Sequence, residues 1–349
     1  MDPVERLYLD ALLEAADPDP APTDESPPDP ATHPDGHPLP GGHPLPGGHP
    51  LPGGHPLPGG HPLPGGHPLP GGNSLRLQLL AGARARRRPA ERTAAWAEPY
   101  AGRVAAMDAL LGAAVDDDWN RVIVEGWTLQ ELIAHLAAKD GLLAASVGAP
   151  VLGPPLGAVD ALGRTADVQA YERTRSPEQT RRDWRAQADA LCRHLSTLPR
   201  DTPATVDGLD APVGDHVLGR MLETWVHTDD AARVAALRLP RPIGAHIHPA
   251  ADLCARLLPW TMLMSGIDGS GRVLGLHLTG DGGGDWTMPL GISDPAATRP
   301  PDAHITADVV DFCFLLGRAG ELDRFSAELE GDLELAREVI RTAPALSGP

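Results

Sequence analysis

The chain has 349 residues, with 39 glycines, 39 prolines, three cysteines and a formal net charge of −18. Such acidity argues against a nonspecific grip on nucleic acid or anionic lipid, and no apolar run approaches the ~20 residues of a membrane span. Cys192, Cys254 and Cys313 are far apart and odd in number, which excludes a disulfide framework or a cysteine-based zinc finger.

The composition divides unevenly. Residues 1–72 hold 20 of the prolines and 13 of the glycines, and residues 1–36 carry ten acids against Arg6 alone. Residues 4–16 can form a short amphipathic helix with Leu9, Leu12 and Leu13 on one side, near the marginal length for a free helix. His-Pro-Leu-Pro-Gly-Gly then repeats six times from His37 to Gly72. This pattern forbids helix and sheet interiors, and in an extended polyproline chain successive imidazoles lie ~19 Å apart, too far to chelate one ion. Residues 1–72 therefore read as a disordered acidic, Pro/Gly-rich tail and spacer. The opening Met-Asp-Pro-Val-Glu lacks the basic start and apolar run of a secretory signal, so a cytoplasmic location is expected.

From Leu75 the pattern turns helical, beginning with a stretch that ends in the basic run Arg84 to Arg88, read as a solvated helix end. Four amphipathic helices follow. The first, about 91–114, sets Trp96, Val104, Met107, Leu110 and Leu111 on one face, with Pro99 early. The second, about 128–146, opens with a capping box, Thr128 and Glu131. The third, about 177–198, opens with another at Ser176 and Gln179, with Pro177 at the first helical position. The fourth spans about 215–237. Together they predict a four-helix bundle over residues 73–240.

Beyond Pro240 the pattern mixes. A helix about 248–264, a hairpin of 272–279 with 286–290, a strand at 303–306, a helix from Asp308 to Arg318, a short segment 325–329 and a helix 332–343 predict an α+β region over 241–349.

The fourth helix carries the chemistry. Arg220, Glu223, His227 and Asp230 stand at i, i+3, i+7 and i+10, within roughly 80° of one another around the axis. Glu223 and His227, four apart, can reach one metal ion from the same face. A third ligand must come from another helix, and His135, beside Leu132 and Leu136 on the inward side of the second, is the best candidate. His194, His216, His246 and His248 sit at segment ends or ahead of a helix. Trp127 and Trp225 read as core. Arg220 can clamp a substrate carboxylate, or can pair with Glu223 or Asp230; Asp230 can orient His227 through its second ring nitrogen.

Two segments resemble a known family. Gly126-Trp-Thr-Leu-Gln-Glu-Leu-Ile-Ala-His135, followed by Arg220-Met-Leu-Glu223-Thr-Trp-Val-His227-Thr-Asp-Asp230, is similar to the mycothiol-dependent maleylpyruvate isomerases, a branch of the DinB-like metal-binding four-helix bundles. The stretch Ala327 to Ala336 resembles the sterol-carrier-protein-like domain that follows the bundle in those isomerases. The resemblance implies zinc held by His135, Glu223 and His227, and mycothiol as thiol cosubstrate. Mycothiol is a thiol of high-GC Gram-positive bacteria, and 28 arginines against the single Lys139 are compatible with such a source.

On that footing a metal-bound thiolate is expected to add to an unsaturated acid, a small-molecule electrophile, and to leave again as the trans isomer. Arg220 and Asp230 are the expected catalytic residues. Transfer of the thiol without elimination, as in a detoxifying S-transferase, and a non-catalytic binding or regulatory role on the same scaffold are the alternatives. No nucleic-acid or membrane partner is expected, and the chain is expected to be a monomer or homodimer.

Overall fold

The computed structural model describes residues 88–346 apart from 158, 159 and 238. The expected tail, its repeats and most of the basic run lie outside the described residues. Arg88 is described, and it pairs with Asp189 at 2.6 Å.

Helix α1 (Glu98–Leu111) starts later than the sequence pattern suggests, after a 3-10 turn at Ala95–Ala97, and Pro99 falls within its first two positions, where no helical hydrogen bond is lost. A single turn α2 (Asp116–Trp119) leads to strands β1 (Val122–Val124) and β2 (Trp127–Thr128). They are antiparallel, joined by Glu125 and Gly126 at φ 54° and 77°, the two positive values a two-residue type I′ turn needs. Helix α3 (Leu129–Ser146) begins at the expected capping box, with Thr128 and Glu131 satisfying each other's backbone amides.

Helix α4 (Ala161–Glu172), capped by Asp160, has no counterpart among the sequence expectations. Helix α5 (Pro177–Leu195) starts at its own box, Ser176 with Gln179. A second hairpin, β3 (Pro203–Val206) with β4 (Leu209–Pro212), turns through Asp207 and Gly208 at φ 54° and 75° and feeds directly into α6 (Val213–Val234). Each long site-bearing helix, α3 and α6, is thus launched from a tight hairpin.

Helices α1, α3, α5 and α6 form a closed ring, α1 against α6, α6 against α3, α3 against α5 and α5 against α1, with α4 outside on α3. Tyr100, Met107, Leu132, Leu136, Trp184 and Met221 fill the centre, none more than 1% exposed. A buried ion network ties α5 to α1: Arg185 reaches Asp108 at 3.2 Å and Asp189 at 2.8 Å.

Helix α7 (Gly244–Met264) starts four residues before the expected position, so Pro249 and Pro259 both lie inside it. Strands β5 (Gly269–Thr279), β6 (Gly284–Leu290), β7 (Ala303–Asp308) and β8 (Ala327–Gly331) make one sheet in the order β6-β5-β7-β8. The β5–β6 pair is the expected hairpin, β5–β7 is parallel and β7–β8 antiparallel. Helices α8 (Val309–Gly317) and α9 (Leu333–Thr342) are capped by Asp308 and Asp332, and with α7 they cover the sheet. The chain is therefore α+β. One apolar cluster runs unbroken from Tyr100 and Leu136 to Leu276 and Phe312, with α7 packed on α1 and α6 on one side and on α8 and α9 on the other. Among the described residues no helix is long and apolar enough to cross a membrane.

Candidate metal centre

The capping box fixes where α3 begins, and this places His135 almost two turns in, between Leu132 and Leu136 on the buried side, 3% exposed. Helix α6 crosses it with its polar stripe inward. The donor atoms of His135, Glu223 and His227 converge within 4.8 Å of one another. His135 Nε2 is 2.7 Å from Glu223 Oε1, and the His135 and His227 rings stand nearly perpendicular, 5.7 Å between centroids.

Two imidazole nitrogens and one carboxylate suit a zinc-like cation that keeps a further position open. The donor chemistry fits such an ion. A nitrogen and a carboxylate oxygen 2.7 Å apart are compatible only if a proton or a cation lies between them. His135 Nδ1 is 3.0 Å from the Thr165 hydroxyl of α4, so a proton held there leaves Nε2 as the ligating lone pair. Likewise His227 Nδ1 lies 3.4 Å from Asp230 Oδ2, leaving its Nε2 for the centre.

The charges are arranged to the same end. Burial pushes the His135 imidazole below its ordinary value, against the raising pull of Glu223, so the ring is neutral at pH 7, the form a ligand needs. Burial would raise Glu223, but Arg220, with Lys139 and His135 beside it, outweighs this and holds the carboxyl well below the usual range. Arg220 is itself buried. Its Nε donates to Asp140 Oδ1 at 2.9 Å, one terminal nitrogen to Glu223 and the other to the Leu136 carbonyl at 3.4 Å. Although burial disfavours its charge, Glu223 and Asp140 more than restore it. Burial raises the Asp140 carboxyl, opposed by Arg220.

The sequence-predicted residues thus meet, but with roles sorted. Of the readings open for Arg220, the geometry matches pairing with Glu223, because its fork is spent on groups of this chain. Asp230 Oδ2 lies 3.4 Å from His227 Nδ1, and Asp230 is also held at 2.6 Å by Arg318, which reaches over from the end of α8. Trp225 is core, edge-on to Phe314. Trp127 is only half-buried, and its ring sits 4.9 Å from that of His135, so it walls the site. His194 and His216 bond backbone carbonyls away from the cluster.

Sequence reasoning missed Thr165, Asp140, Arg318 and Glu125. Glu125 sits in the β1–β2 turn, where burial raises its carboxyl and His227 opposes the shift. The sequence signal for it is the Glu125-Gly126 pair between Val124 and Trp127, a turn pattern that the structure realises with positive φ at both residues.

Residues 100–232 match the family model described as the mycothiol maleylpyruvate isomerase N-terminal domain. The match covers 133 of the 349 residues. It contains all three converging residues. Two crystal structures of mycothiol-dependent maleylpyruvate isomerase, one of a point mutant and one without that description, are similar to the chain at 18% and 19% identity. Each has a TM-score of 0.42 and covers 67% of this chain and 91% of the other. Among curated proteins none matches.

Proposed function

We propose that the chain is a zinc- and mycothiol-dependent enzyme that isomerises a small unsaturated acid from cis to trans. The observation that carries this reading is the convergence of His135, Glu223 and His227 inside the segment that matches the isomerase family model. A divalent cation held there lowers the pKa of a bound thiol, so that thiolate is available at neutral pH.

The chain's own residues prepare the place. Arg220 keeps Glu223 ionised, burial and Thr165 keep His135 neutral and aimed, and Asp230 steadies His227. Trp127 sets its ring 4.9 Å from that of His135. The thiolate of the cosubstrate attacks one alkene carbon of the acid, forming a C–S bond as the π electrons move onto the conjugated carbonyl. The former double bond rotates. The carbonyl electrons then return, the C–S bond breaks, and the pair leaves with sulfur. No oxidant is consumed. Residues 241–349 we read as the sterol-carrier-like companion of the bundle.

The test is to incubate the protein with mycothiol and maleylpyruvate and follow the alkene protons by NMR. Appearance of the trans isomer without net loss of thiol supports the reading. A stable thioether with no trans product sinks it in favour of S-transfer.

A further inference from the structure

A second site lies on the other side of α6. A cavity of about 530 Å³ opens between α6, α8 and the turn that follows α8, with Arg103 of α1 in its wall. Of the five α6 positions that line it, Trp225, Thr228, Asp229 and Ala232 run about opposite the Glu223–His227 stripe around the helix axis, and Arg233 lies to one side. None of the three converging metal-site residues lines it.

Arg103 is only 8% exposed, and its buried Nε has no hydrogen-bond partner. Burial alone pushes the guanidinium down, to about 10, with no acid pulling it back. It is therefore still charged at pH 7 and has no counter-ion among the described residues. Two of the three acids lining the cavity are engaged by other arginines. Asp229 and Glu321 both serve Arg318 and Arg233, and Asp311 is exposed. His246, in the field of Arg103, is pushed down by burial and by that charge against the raising pull of Glu98, and an imidazole is no counter-ion for a guanidinium.

A buried cation without a partner is a costly arrangement that one anion would relieve. Its planar fork matches a carboxylate in two parallel hydrogen bonds. Trp225, Phe314, Phe325 and Leu239 supply apolar walls, and the volume lies in the range of about 300–1,000 Å³ usual for small-molecule pockets. We propose that this cavity binds a small organic carboxylate with an apolar body, its carboxylate on Arg103, at a site separate from the metal centre. Arg233, Arg241 and Arg324 line the cavity as well, beside Asp229, Asp311 and Glu321, but Arg103 is the buried guanidinium with an unpartnered nitrogen, and it sets where the carboxylate sits.

The probe is benzoate, titrated calorimetrically into the full chain as purified, beside neutral benzamide and the variants Arg103→Met and His227→Ala. Benzoate is expected to bind one per chain and benzamide to fail. Arg103→Met should weaken benzoate at least tenfold, and His227→Ala should leave it unchanged. Because Arg103→Met removes an unpaired buried charge, its Tm should equal or exceed that of the wild type. Absence of benzoate binding to the wild type, equal binding to Arg103→Met, or loss of binding only in His227→Ala would each overturn the proposal. The His227→Ala arm keeps this outcome independent of whether the chain is an isomerase.

Discussion

His135 Nδ1 lies 3.0 Å from the hydroxyl of Thr165, a residue 30 positions further along on a different helix. That contact decides which ring nitrogen faces Glu223, so α4 acts on the metal centre without supplying a ligand. Removing such a partner typically weakens metal binding about 10–100-fold. Thr165→Val, nearly isosteric and buried, should keep the far-ultraviolet spectrum and lose metal affinity within that range in a chelator competition. Unchanged affinity would mean that the His135 ring is oriented by packing alone.

Asp140 is wholly buried and holds Arg220 at 2.9 Å, and Arg220 in turn holds Glu223. Asp140→Ala leaves a buried guanidinium short of one carboxylate, a change that costs ~3–5 kcal/mol. Urea denaturation should show the loss as a lower midpoint with the slope preserved.

Acid should destabilise the metal-free protein. The folded His135 value is depressed, so below about pH 6.5 the unfolded chain takes a proton the folded one resists. The stability tied to His135 is present above that pH and lost beneath it. Glu223, also depressed, holds its contribution above about pH 4.3 and loses it at lower pH. The drop in urea midpoint from pH 7.5 to 5.5 should be smaller in His135→Gln than in the wild type. Parallel profiles would remove His135 as the source.

Thr128→Ala should cost about 1 kcal/mol through its lost cap. It frays only the first turn of α3, so His135, almost two turns in, should keep its metal. Thermal unfolding and metal content measured on the same sample check both halves.

The legible parts of this chain were those written in local chemistry. Thr128 with Glu131 and Ser176 with Gln179 mark the starts of α3 and α5, and the stripe of Glu223 and His227 shows in spacing alone. Helix α4 stayed hidden because much of its buried face is polar, with Arg164, Thr165, Gln169 and Glu172 inside, so apolar periodicity is silent there. The hairpins β1–β2 and β3–β4 are too short to alternate, and only Glu125-Gly126 and Asp207-Gly208 announce them. The sequence pattern starts a helix near 248, whereas α7 begins at Gly244 and carries Pro249 in its interior. The partner of Arg220 was not readable, since Asp140 lies 80 residues away and meets it only when α3 and α6 cross.

The central claim is that His135, Glu223 and His227 hold one metal ion. Elemental analysis of the purified full chain, beside His227→Ala, tests it most directly. Close to one zinc per wild-type chain, and almost none in a folded His227→Ala, is the expected result. A metal-free wild type, or a variant that keeps its full complement, would contradict it.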